Sequence, residues 1–148
     1  MLLTRMGRKI VRLLKLIENP ILFSVRQKGI PIDDFCLLNQ PWIINANINT
    51  VFDVGANIGE FASLIHELRP TAAIYSFEPL DDCFEQLRKR MGKVEKFEAF
   101  NLALADFNGE LTFHRNEHLP SSSPLPMADL HKENYPHTTK DTIIKVRS

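Results

Sequence analysis

Leu3, Met6, Ile10, Leu13, Leu14 and Ile17 recur at helical spacing, with Arg5, Arg8, Lys9, Arg12 and Lys15 between them. Residues 1–18 therefore read as an amphipathic helix, ended by Asn19-Pro20. The next thirty residues are less regular. Ile21-Leu22-Phe23-Ser24-Val25 fits a short strand or a continuation of the helix after a kink. Gly29-Ile30-Pro31 is a turn, Ile32 to Leu38 fits a helix capped by Asp33 or Asp34, and Pro41-Trp42-Ile43-Ile44 leads onward. The period then changes. Val51, Phe52 and Val54, bounded by Asn49-Thr50 and Gly55, fit a strand buried on both faces. Phe61, Leu64, Ile65 and Leu68 return to helical spacing, which stops at Arg69-Pro70. Ala73-Ile74-Tyr75-Ser76-Phe77 reads as a second strand. After Glu78-Pro79 a helix follows, with Cys83, Phe84, Leu87 and Met91 on one side and Asp82, Glu85, Arg88 and Lys89 on the other. A third strand, Lys96-Phe97-Glu98-Ala99-Phe100, runs into Asn101-Leu102-Ala103-Leu104-Ala105-Asp106. Asn108-Gly109 marks a turn before the alternating Glu110-Leu111-Thr112-Phe113-His114. From Pro120 to Lys140 the chain is rich in Ser, Pro and His without periodicity and reads as a loop; Thr142-Ile143-Ile144-Lys145-Val146 is a last strand. Strands alternating with helices predict an α/β fold built on a parallel sheet.

The turn after the first strand carries the candidate chemistry. Val51-Phe52-Asp53-Val54-Gly55-Ala56-Asn57-Ile58-Gly59-Glu60-Phe61 is a strand, a glycine turn and the start of a helix, and the second strand ends in a carboxylate, Glu78. An α/β sheet holds a nucleoside in this way: backbone close to the ligand at the first turn, and an acid for the ribose after the next strand. A dinucleotide turn needs a glycine where Asn57 stands, and no third glycine follows at the right offset. The pattern D-x-G-x-N-x-G instead resembles the first motif of S-adenosylmethionine-dependent methyltransferases, whose ligand has no phosphate, only a zwitterionic amino-acid tail. Asp53 orients the turn, accepts hydrogen bonds near a ligand ammonium group, or caps the following helix. Gly55 and Gly59 let the backbone approach the ligand. Asn57 binds a ligand carboxylate or holds the turn, and a helix beginning near Ile58 points free N–H groups at that carboxylate. Glu78 has the position to accept both ribose hydroxyls.

The segments V-F-D-V-G-A-N-I-G-E-F, Y-S-F-E-P and N-L-A-L-A-D-F-N-G-E-L-T-F together resemble the FkbM-type S-adenosylmethionine-dependent methyltransferase family. Ser121-Ser122-Ser123, the proline-rich loop and the strand Thr142 to Val146 are also similar to that family. The resemblance implies a Rossmann-like class I methyltransferase sheet, S-adenosylmethionine as cofactor, and methylation of a hydroxyl on a sugar, lipid or natural product. It implies a cofactor site at Asp53, Gly55, Ala56, Asn57, Gly59, Glu78, Pro79, Asn101, Leu102 and Ala103, the last three beside the adenine; Asp106 hydrogen-bonds the turn instead of the ligand. No catalytic base is assigned. It implies two parts: residues 1–48 as amphipathic helix and helical cover, and residues 49–148 as the methyltransferase domain, incomplete at its C-terminus. The expected sheet is then half built after its first strands, lacks the acceptor half, and leaves the first strand with an unpaired edge open to self-association. Alternatives are a truncated, non-catalytic fragment that keeps the binding turn, a different nucleotide-binding module, and a membrane-associated adaptor.

Charge and composition change this picture in one place. The net charge is zero, with 18 basic and 18 acidic side chains, yet residues 1–28 hold Arg5, Arg8, Lys9, Arg12, Lys15, Arg26 and Lys28 against Glu18 alone. The first helix therefore either packs on an acidic body or contacts an anionic membrane surface peripherally. Nucleic acid is not expected, since no aromatic residues interleave with the basic ones. No apolar run is long enough for a signal core or a membrane span, and unpatterned Cys36 and Cys83 predict free thiols in a reducing, cytoplasmic setting. No metal is expected: His114 and His118 are spaced for one helix face, but His114 lies on a strand.

Overall fold

A computed structural model of the protein describes residues 20–148, so the amphipathic helix read over residues 1–18 lies outside the described residues. The described part is α/β. Strands β1 (Thr50–Val54), β2 (Ala73–Phe77) and β3 (Phe97–Phe100) form a parallel sheet in that order. Helix α4 (Glu60–Leu68) connects the first pair and α5 (Asp81–Met91) the second. Strands β4 (Glu110–Asn116) and β5 (Asp141–Arg147) make a separate antiparallel pair. Ahead of the sheet stand α1 (Pro20–Gln27), α2 (Ile32–Leu38) and the single turn α3 (Pro41–Ile44). The stretch read as strand or helix is thus helical in α1. In α2 the cap position is Pro31 and no side chain caps it; Asp33 and Asp34 occupy the first turn, where a carboxylate favours the positive end of the helix dipole.

Strand register sorts the sheet into two faces. Val51, Ile74 and Phe97 stand side by side, as do Asp53, Ser76 and Ala99. This face is covered by Ala62 and Ile65 of α4 and by Leu87 and Met91 of α5. Burying each large apolar side chain there stabilises the fold by roughly 1.5–3 kcal/mol. Helix α4 is enclosed on a second side, where Leu64 packs with Leu22, Val25, Ile30 and Phe35 of the α1–α2 cover. The other face of the sheet is a ladder of rings: Phe52 stacks on Tyr75 and Phe77, and Phe77 stacks on Phe100 at 5.0 Å. Here the reading of β1 as buried on both faces is corrected. Phe52 is 66% and Val54 61% exposed, because β1 is the edge strand and the ladder face lacks a covering layer among the described residues.

The β4–β5 pair docks on α5. Phe113 and Val146 pack against Leu80 and Cys83, and Arg115 makes two 2.8 Å hydrogen bonds to the Asp82 carboxylate. That ion pair holds the Asp82 carboxyl below its ordinary range, chiefly through the Arg115 hydrogen bonds. The segment read as an unstructured loop contains α6 (Asp129–Asn134) and 3-10 turns at Leu119–Ser121 and Pro136–Thr138. Its order comes from a polar anchor instead of a hydrophobic stripe. Asn116 is buried, its side-chain N–H₂ donating to the Thr138 carbonyl and its oxygen accepting from His118 N–H. No helix among the described residues is long and apolar enough to cross a membrane.

Candidate functional site

The turn after β1 is clipped to the end of β2. The N–H groups of Gly55 and Ala56 both donate to the Phe77 carbonyl, at 2.9 and 3.0 Å. Three of its residues have left-handed backbone: Gly55 at φ 77°, Asn57 at φ 48° and Gly59 at φ 81°. Asparagine tolerates this conformation better than most side chains. The two glycines serve different ends. A Cβ on Gly55 would meet nothing within 4 Å, so its backbone faces open space that a ligand can enter. One on Gly59 would sit 2.7 Å from Leu87 Cδ1, so this glycine allows α4 to pack on α5. Helix α4 starts at Glu60 with Gly59 as its cap residue, two positions later than the sequence suggests.

Glu78 closes the site from the other side. Its Oε2 accepts from Asn57 N–H at 2.7 Å and its Oε1 from Leu80 N–H at 2.9 Å. A carboxylate offers about four lone-pair positions, so two remain for a ligand. Burial pushes the Glu78 carboxyl above its ordinary range; the backbone donors of Leu80 and Asn57 pull it down, and nearby Asp82 and Asp53 push it up. Asp53 is buried under the turn, accepts from Ser76 Oγ at 3.2 Å, and is also raised by burial. Cys83 completes the wall, its thiol pushed up to about 11 by burial and by the carboxylates of Glu78 and Asp82.

Of the residues singled out in the sequence, Gly55, Asn57, Glu78 and Pro79 line one cleft of ≈ 80 Å³. Asp53 and Ala56 lie behind it: Asp53 is buried beneath the turn, and Ala56 belongs to the sheet core. Asn101 lines a neighbouring groove that shares Pro79 and Leu80, and its side chain donates to Asp81 at 3.1 Å. Leu102 is half-buried, and Ala103 ties the β3 exit to β5 through its N–H to the Arg147 carbonyl. The remaining wall of the cleft comes from Leu80, Cys83, Phe113, Leu119, Pro120 and Ser122. The sequence reading assigned no site role to any of these. Ser121-Ser122-Ser123 was the one available signal, and local spacing cannot show that a turn more than sixty residues downstream roofs the first glycine turn. His114 and His118 do not converge: the first pairs with Asp141 at 2.6 Å and the second with Ser121 at 3.0 Å.

The profile of the methyltransferase FkbM domain matches residues 53–147, from the buried aspartate of the turn to the end of β5. The chain belongs to this family. The chain is similar to the 2-O-methyltransferase NoeI of Sinorhizobium fredii (strain NBRC 101917 / NGR234), 34% identical over 64 residues, which cover 43% of this chain and 26% of NoeI. The AMB antimetabolite synthetase AmbE of Pseudomonas aeruginosa is 39% identical over 64 residues, 43% of this chain and 3% of AmbE. The matched segment thus spans about a quarter of NoeI and a small fraction of AmbE.

Proposed function

We propose that this FkbM domain binds S-adenosylmethionine in the cleft between the Gly55–Gly59 turn and Glu78, and donates its methyl group to a hydroxyl oxygen. The observation that carries this reading is the pairing of an open Gly55 backbone with a buried, doubly anchored Glu78 across one cleft. Two lone pairs of Glu78 would accept the ribose hydroxyls, each charge-assisted bond being worth roughly 1.5–3 kcal/mol. The surrounding charge suits a sulfonium and an ammonium group and opposes a diphosphate, since Asp53, Glu78 and Asp82 are all acidic neighbours. Asn57 and the free N–H groups at the start of α4 would take the methionine carboxylate. Adenine would lie beyond Pro79, toward Asn101, Leu102 and Ala103.

The chemistry asks little of the protein. Sulfur leaves with the S–CH₃ bonding pair as a neutral thioether, the acceptor oxygen forms the new C–O bond, and its proton passes to solvent or a base. Proximity and exclusion of water then supply most of the rate. The name of the relative NoeI, a 2-O-methyltransferase, favours oxygen as the acceptor atom. Free Cys36 and Cys83 accord with a reducing, cytoplasmic setting.

Calorimetric titration of the 148-residue chain with S-adenosylhomocysteine, with NADH as the control ligand, tests the cofactor assignment. Micromolar binding of the thioether and none of NADH is expected. NADH binding, or silence from a folded chain toward both, would overturn it.

A further inference from the structure

An apolar groove runs along the flank of α4, away from the cofactor cleft. Leu37 and Leu38 of α2 face Phe61 and Leu64 of α4 across ≈ 380 Å³, with Asp34 and Glu60 at its rim. Leu37 is 69% and Phe61 42% exposed, although both belong to elements that are otherwise packed. An apolar trough with two carboxylates on its edge suits a strand or helix that is apolar on one side and basic on the other. The chain itself supplies such a segment in residues 1–17, with Ile10, Leu13, Leu14 and Ile17 in one stripe and Arg5, Arg8, Lys9, Arg12 and Lys15 beside it.

We propose that residues 1–17 dock in this groove, laying the stripe of Ile10, Leu13 and Ile17 on Leu37, Leu38, Phe61 and Leu64. Reach permits it. Leu22 packs in the same cluster as Leu64, and four residues separate it from Ile17; with Pro20 to Leu22 helical in α1, the span is up to about 14 Å. Charge favours it, because five Lys/Arg side chains meet a rim formed by Asp34 and Glu60. The open ladder face of the sheet is a poorer berth. It lies on the far side of the sheet from α4 and its nearest named neighbours, Phe52 and Val54, bring no carboxylate. Docking would place the N-terminal segment against Glu60 and Phe61, the first residues after Gly59, and so brace the helix that follows the cofactor turn.

Limited trypsin digestion of the full chain, followed by mass spectrometry, reads this contact through cleavage at Arg12 and Lys15. The expected result is slow cleavage in the native chain and about tenfold faster cleavage in both Leu13→Glu and Leu37→Glu, with sites in residues 50–148 unaffected. Because both substitutions break one contact, the double variant should be no faster than either single one. Asp34→Lys with Glu60→Lys should accelerate cleavage as well. Rapid cleavage in the native chain, additive effects in the double variant, or protection that needs anionic vesicles or high protein concentration would each overturn the proposal. The last two would assign the segment to a membrane or to a second copy.

Discussion

Both oxygens of Glu78 already accept a main-chain hydrogen bond, so this carboxylate is part of the turn before any ligand arrives. Replacing it with glutamine keeps the size but leaves one acceptor oxygen, and turns an N–H₂ group toward either Asn57 N–H or Leu80 N–H. Glu78→Gln should therefore lose roughly 10- to 100-fold in affinity for S-adenosylhomocysteine, about 1.5–3 kcal/mol, by calorimetry. An unchanged affinity would remove Glu78 from the ribose site. The pH dependence has a definite sign. Burial raises the Glu78 carboxyl above the ordinary 4.5, so binding should weaken on acidification earlier than for an exposed glutamate. Folding stability runs the other way: an acid whose pKa is raised on folding stabilises the protein when protonated, and that contribution is lost as pH rises from 4.5 through the folded value. Gly59 offers a second test. Alanine there must accept φ 81° and a Cβ 2.7 Å from Leu87 Cδ1, so urea midpoints should report a loss of about 1–3 kcal/mol. Measured against Leu87→Ala alone, the same glycine change would keep the backbone strain without the clash, so its own loss should be smaller.

At the scale of elements, the sheet and its two covering helices were legible because their apolar periods are clean and their ends are marked. Asp53 to Gly59 and Glu78 were legible for the same reason, since the motif is local and lies on consecutive elements. The roof of the cleft was not. Phe113, Leu119 and Ser122 reach it only because β4 pairs with β5 and the pair docks on α5, a tertiary fact with no local signature. Segment 117–140 is held by Asn116, and one buried asparagine leaves no periodic trace. The β4–β5 docking can be probed through Cys83, which it buries. Cys36 is exposed and Cys83 fully buried with a thiol pushed up to about 11, so a thiol reagent at neutral pH should label one cysteine per native chain and two after unfolding. Early labelling of Cys83 in Asp82→Ala would show that the Arg115 pair pins the strands. As an exposed pair it should contribute only about 0–1 kcal/mol.

For the whole molecule, the decisive surface is the β1 edge and the ladder face of the parallel sheet, the one unpaired and the other uncovered among the described residues. Asn49 C=O and Gly55 N–H point to β2, so the intervening Thr50, Phe52 and Val54 present their backbone groups outward. Parallel sheets are ordinarily covered on both faces, and native edges are guarded by Lys, Pro or bulges, none of which stands within Thr50–Val54. The isolated 148-residue chain should therefore self-associate as concentration rises, and Val54→Lys should reduce the weight-average mass seen by light scattering. A native chain that stays monomeric at high concentration would show that the edge is inert. Phe77 then gives this surface a wider meaning. Its ring lies in the exposed ladder, stacked between Phe52 and Phe100, while its carbonyl grips the N–H groups of Gly55 and Ala56. A layer that displaced the ring would displace the residue that sets the turn, and covering the face would then be coupled to filling the cleft. Such a coupling would be reciprocal: whatever factor a covering layer added to ligand affinity in the cleft, the ligand would return to that layer.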